Sequence, residues 1–281
     1  MSLPAGTRVG TVRLQVADLD RSLAYYERVI GLGILDRGDG IAQLGAKPGR
    51  PLVELRQRPG ARPVPRRGRL GLYHLAILLP ERAALGRFVR HLGELDVPAG
   101  MSDHLVSEAI YLSDPDGLGI EVYADRPRDR WEYEGDQLVM ATNPLDVGDL
   151  LAAAGEATWM GAPAGTVIGH IHLFVGDLER SAAFYERGIG LDRTVWSYPG
   201  ALFMSAGGYH HHLGTNTWAA GAPPATEADA RLLEWELMVP GTCEADQALE
   251  RVAAAGAPVQ REPGGGVARD PWGTAVRIRA A

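Results

Sequence analysis

The sequence predicts an α+β protein built from four copies of one βαβββ module. Three observations predict it: a long internal repeat, turns of the same chemistry between apolar runs, and helix-start signals at matching places in the copies. Residues 10–32 read GTVRLQVADLDRSLAYYERVIGL and residues 169–191 read GHIHLFVGDLERSAAFYERGIGL, with 14 of 23 positions identical at a constant offset of 159. Such self-similarity marks a repeated structural unit.

Each strong copy opens with an alternating strand followed by Asp-Leu-(Asp/Glu)-Arg-Ser. Asp18 and Asp177 suit the N-cap, where a short carboxylate accepts from otherwise orphaned amides, so helices are predicted over 19–29 and 178–188. Tyr25, Tyr26, Phe184 and Tyr185 would anchor them to a sheet, and Gly31 and Gly190 would end them in the left-handed conformation. Short β-rich segments at 33–35, 41–44 and 52–56 complete module one, and 194–197, 201–205 and 210–215 complete module three. Module two starts with the strand 72–79, then Pro80, a helix over 82–92 and the hairpin 103–123. Module four starts with 233–239, then Pro240, a helix over 244–255, and 267–278 with its own Asp270-Pro271-Trp272-Gly273 turn.

The modules therefore span 7–58, 69–125, 165–218 and 231–280. Pro-, Gly- and Arg-rich connections, 58–69 and 219–229, separate members of each half. The halves themselves, 7–125 and 165–280, read as an N-terminal and a C-terminal domain, joined by a linker, 126–164, that should hold a helix around 144–154.

The hairpin 103–123, DHLVSEAIYLSDPDGLGIEVY, carries the first hint of chemistry. Asp114-Pro115-Asp116-Gly117 is a strong turn: Pro presets φ, Asp favours the first position and Gly tolerates positive φ at the last. In the following strand, alternation puts Gly119, Glu121 and Tyr123 on one face and Leu118, Ile120 and Val122 on the other. Glu121 inside an apolar strand needs either water or a cation, because burying an unpaired carboxylate is costly.

Composition narrows the partners. With 281 residues and 46% hydrophobic content, the chain can bury one large or two ordinary cores. A net charge of −7, with no basic patch beyond 62–69, argues against nucleic acid. Absence of a signal-like start and of any apolar run near 18 residues argues against a membrane, leaving a cytoplasmic protein, monomer or homo-oligomer, as the expectation. Cys243 is the single cysteine, so a metal would have to use His and carboxylate.

The four-module pattern resembles the vicinal oxygen chelate superfamily (glyoxalase, bleomycin resistance and extradiol dioxygenase proteins) over nearly the whole chain. Within it, GLYHLAILLP, SDHLVSEAIYLSDPDGLGIEVYADRP and FMSAGGYHHHLGTNTW resemble bacterial catechol 2,3-dioxygenases of the extradiol class. The resemblance implies that the modules pair into open, strongly curved mixed-sheet barrels around a metal. It also implies that ligands come from one inward position on each module's first strand and one on its last. Counted back seven residues from the helix start, the first-strand position is Thr11, His74, His170 and Glu234 in modules one to four. The last-strand position is Glu121 in module two and Arg277 in module four, with Glu54 and His212 at less certain register.

An extradiol site uses two His and one carboxylate on Fe(II), leaving room for substrate and oxygen. His74 and Glu121 supply two ligands from module two; Thr11 cannot supply the third, and His170 can. Ligand counting therefore pairs module two with module three in the active barrel and leaves one and four as structural partners. A rival site would use His170, His212 and Glu234 in a barrel of modules three and four. The resemblance further implies that His104 and Tyr111 contact the catechol oxygens and that one histidine of the run His210-His211-His212 is the acid–base group. His212 is favoured by its place before Leu213 and the end of the strand, with His210 on the same face by alternation. Trp131, Trp196, Tyr198, Phe203 and Trp218 are candidate wall residues.

The implied activity is ring cleavage of catechol or a substituted catechol by O2 in aromatic catabolism, with Fe(II), or alternatively Mn(II), as cofactor. Two other functions stay open: a glyoxalase-like metal-dependent isomerase or lyase, and a non-catalytic protein that binds an aromatic or a drug.

Overall fold

The computed structural model describes residues 2–281. Its strands form two curled eight-stranded sheets and a short two-stranded ribbon. In one sheet the strands run Asp192–Val195, Ala201–Ser205, Leu213–Asn216, Val167–Phe174, Gly71–Leu78, Gly119–Asp125, Ser107–Ser113 and Gly100–Asp103. In the other they run Val259–Glu262, Gly265–Arg269, Ala275–Ala280, Arg231–Val239, Arg8–Val16, Val53–Gln57, Ile41–Gly45 and Gly33–Gly38. Within each module the first strand lies parallel to the last and the remaining pairs are antiparallel, so the sheets are mixed.

The seams join first strands. Gly71–Leu78 pairs antiparallel with Val167–Phe174, and Arg8–Val16 with Arg231–Val239. Module two thus shares a sheet with module three, and module one with module four. Each half of the chain divides its two modules between the sheets.

The local signals explain the helices. Asp18 accepts from the Arg21 amide and Asp177 from the Arg180 amide, and Gly31 and Gly190 close the helices at φ 82° and 102°. Both helices differ from the expected uniform α-helix by widening into π-helical turns, Tyr26–Ile30 and Ala183–Ile189. The glycine amides there reach back five residues, to the carbonyls of Tyr26 and Tyr185, whose rings are fully buried. The remaining helices among the described residues are Arg82–Glu94, Thr242–Ala254 and, in the long joint, Val147–Ala153 and a single 3-10 turn, Arg128–Arg130. No helix among the described residues is long and apolar enough to cross a membrane.

Candidate metal and catalytic site

Three adjacent strands build the site by register alone. Ala76 lies opposite His170 on one side and beside Glu121 on the other, and His172 lies opposite His74. Residues directly paired across a ladder share a face, as do residues two apart along a strand. His74, His170, His172 and Glu121 therefore all project from the concave face. Ile120 and Val122, on the alternate positions, enter the main hydrophobic core.

Two glycines allow the close approach. A Cβ on Gly169 would fall 1.7 Å from the Tyr123 hydroxyl oxygen, and one on Gly119 would fall 1.9 Å from the Tyr73 carbonyl oxygen. Gly169 also sits at the register shift that turns His170 inward.

His74 Nε2 is 2.9 Å from Glu121 Oε2, and His170 Nε2 is 3.1 Å from the same oxygen. The second contact is a hydrogen bond; the first lacks the alignment of one, so both ring nitrogens of His74 are buried without a hydrogen-bond partner, as is His170 Nδ1. One donor atom from each of the three residues lies within 4.8 Å of the others, and all three side chains are buried. Burial opposes ionisation of Glu121, but its interactions with His170 and His74 outweigh that and hold the carboxyl well below the usual range. Burial lowers His170 to about 4 despite Glu121. An ionised carboxylate beside imidazoles with free lone pairs is the donor set a divalent metal needs.

The cluster lies in a cavity of about 550 Å³. His104 and Tyr111 stand on its wall. The Ala141 carbonyl accepts from His104 Nδ1 at 2.6 Å, which leaves Nε2 to accept from the Tyr111 hydroxyl at 2.5 Å. Burial first, and then Glu121, push the Tyr111 phenol well above its ordinary value, so it remains a hydroxyl donor.

The histidine run corrects the sequence reading. The expected strand over 210–215 begins only at Leu213. Residues 206–211 form an irregular reversal through Gly207 and Gly208, at φ 63° and 68°, and His212 rejoins the sheet, its amide donating to the Met204 carbonyl and its carbonyl accepting from the Ile171 amide, so His210 and His212 do not share one strand face. His212 Nδ1 accepts from the Ala206 amide and its ring does not line the cavity; His211 lines it, with its ring centroid 4.0 Å from that of His170. Behind His211, its Nδ1 lies 2.7 Å from His210 Nδ1, and His210 Nε2 lies 2.9 Å from Asp125 Oδ1.

Of the expected wall residues, Tyr198, Phe203 and Trp218 line the cavity. Trp131 packs instead on Tyr209 and His210, and Trp196 is 46% exposed. The structure adds Tyr73, His172, Arg66, Arg67 and the segment Met140–Ala141–Thr142. His172, whose repeat partner is Arg13, pairs through Nε2 with the Asn216 side-chain amide. The rival site with Glu234 does not form: Glu234 accepts from Arg13 and Arg277 in the other sheet.

Comparison with known proteins follows the same lines. The family model described as Glyoxalase/Bleomycin resistance protein/Dioxygenase superfamily matches residues 8–122 and 167–278. A catechol-2,3-dioxygenase of Bacillus subtilis (strain 168) is 43% identical over 274 residues, 96% of each chain. Among solved structures, a dioxygenase candidate from Bacillus subtilis aligns with TM-score 0.66 and 17% identity over all of this chain and 86% of that one. Glyoxalase I from Zea mays aligns with TM-score 0.56 and 18% identity over 98% of this chain and 92% of its own. At these identities the structural matches establish the fold alone.

Proposed function

The chain belongs to the Glyoxalase/Bleomycin resistance protein/Dioxygenase superfamily, and from that membership we propose that it is an extradiol dioxygenase opening a catechol ring with O2 at a metal held by His74, His170 and Glu121. The observation that carries the reading is the buried three-donor cluster inside an aromatic-walled cavity. The catechol-2,3-dioxygenase relative supports it. Fe(II) is the cofactor this reading expects, with Mn(II) the alternative, because imidazole and carboxylate donors serve both. When bound, the metal supplies a positive centre for two vicinal oxygens and a route for electrons from the diol to O2.

The chain's own groups position substrate and move protons. Tyr73, Tyr198, Phe203 and Trp218 give the ring apolar faces to lie against and keep bulk water away from it. The Ala141 carbonyl fixes the His104 tautomer, His104 Nε2 accepts from the Tyr111 hydroxyl, and the Tyr111 oxygen is left to accept from a substrate hydroxyl.

His211 is the acid–base group of this reading, in place of His212. In the neutral tautomer of His210 that donates from Nε2 to the Asp125 carboxylate, Nδ1 accepts, so His211 Nδ1 donates to it. That leaves His211 Nε2 as the basic atom. Burial, and then the neighbouring His170, hold the ring well below its usual pKa, so it is unprotonated near neutrality and free to take the substrate proton and later return it.

The test is direct: protein loaded anaerobically with Fe(II) and given catechol in air should consume O2 in step with a yellow ring-opened semialdehyde. No uptake across a panel of catechols, with iron bound, overturns the reading.

A further inference from the structure

The connection between modules one and two contributes two cations to the cavity. Arg66 and Arg67 line it from its solvent-exposed side. They occupy the centre of a turn in which the Gly68 amide donates to the Pro65 carbonyl at 2.8 Å. The turn is pinned at both ends: the Val64 amide donates to the Asp116 carbonyl, and the Leu70 amide to that of Pro223. Arg67 takes φ 55°, a left-handed conformation that glycine usually fills. Strain tolerated at a residue facing a cavity points to a role for its side chain.

Charge points the same way. Arg62 and Arg69, in the same connection, both pair with Asp229. Among the described residues no carboxylate forms an ion pair with Arg66 or Arg67. Glu121 is the one carboxylate on the cavity wall, and it belongs to the donor cluster. With a divalent metal in place, the cavity carries more positive charge than a bound catecholate cancels. At about 550 Å³ the cavity has room beyond a bare diol ring.

We propose that the site selects catechols bearing an anionic substituent, a carboxylate on the ring or on a short side chain, which Arg66 and Arg67 clamp at the cavity mouth while the vicinal oxygens face His74, His170 and Glu121. The proposal rests on the ring-cleavage reading. Guanidinium suits this task because its planar donors grip a carboxylate in two places and never lose their charge.

The test compares a catechol carrying a carboxymethyl group with its carbamoylmethyl counterpart, the neutral near-isostere, in iron-loaded protein. The wild type should favour the acid in kcat/KM by about tenfold or more, the equivalent of about 1.4 kcal/mol. In Arg66→Gln/Arg67→Gln the ratio should fall to within about twofold. Equal kcat/KM for both compounds in the wild type, or a ratio unchanged in the variant, overturns the proposal. Calorimetric titration of metal-free protein with hydroxyphenylacetate, which is not a diol, gives a second readout. Binding that weakens about tenfold in the variant supports the clamp; equal binding overturns it. Failure of the ring-cleavage reading looks different, with neither catechol turned over while the titration still decides the clamp.

Discussion

His211 and His212 differ by one position, yet one ring reaches the cavity and the other turns into its own loop. The repeat located the run, but a reading of 210–215 as one strand did not anticipate the reversal through Gly207 and Gly208 that precedes His212 and brings the His211 ring to the cavity. His74, Glu121 and His170 were legible because they sit on true strands at superposable repeat positions. His211→Phe is therefore expected to keep iron at wild-type stoichiometry while kcat drops about 10²–10⁴-fold, the usual worth of a positioned acid–base group; His212→Phe should cost little turnover. Parallel metal analysis and steady-state kinetics on the two variants decide between them. At Gly169 the expectation is steric. Its Cβ would collide with the Tyr123 hydroxyl, so Gly169→Ala should displace His170 and weaken metal binding more than tenfold, at a folding cost of about 1–3 kcal/mol. Equilibrium iron titration beside thermal unfolding separates the two effects.

Elements carry the next lessons. The turns at Asp114 and Asp270 were legible because Asp-Pro-X-Gly encodes its own geometry: in each, Oδ1 accepts two backbone amides and the glycine closes the turn at positive φ. Their burial was not legible from local sequence, because it depends on packing from the rest of the chain. Burial, against the two amide hydrogen bonds, raises Asp114 to about 7, and its Oδ2 is buried without a partner. An acid whose pKa is raised on folding binds its proton more tightly in the native state. Stability from this group is thus fully present below the unfolded pKa near 4 and is lost as pH rises through about 7, a change of a few kcal/mol, roughly 1.4 per pKa unit. Asp114→Asn keeps the accepting oxygen and removes the charge, so it should flatten the fall in unfolding midpoint between pH 5 and pH 8 that the wild type shows. Chemical denaturation at those two values checks it. The connections were the least legible elements. Residues 58–69 and 126–164 looked like spacers, yet their turns supply Arg66, Arg67 and the Ala141 carbonyl that orients His104.

Across the whole molecule, the same topology yields one candidate site and one filled partner. Where the first sheet has His172, His74 and Glu121, the second has Arg13, Glu234 and Arg277 at the matching register positions. These form ion pairs rather than a donor cluster: Arg13 reaches Glu234 and Glu236 at 2.8 Å each, and Arg277 reaches Glu234 at 2.7 Å. Ligand counting could pair modules two and three from the sequence because Thr11 and Arg277 cannot serve as metal donors, and the sheet order has that pairing. The network is partly buried, so Arg277→Met should cost about 2 kcal/mol of stability, between the values for exposed and buried pairs. Iron stoichiometry and kcat should stay at wild-type levels, because the change lies in the other sheet.

The most direct measurement of the central claim is iron content and O2 uptake with catechol, in wild type and His170→Ala, after identical anaerobic Fe(II) loading. A ring-cleaving site shared by modules two and three predicts one iron per chain and O2 uptake with yellow product in the wild type, and loss of both in the variant. Full iron content and uptake in His170→Ala would contradict it.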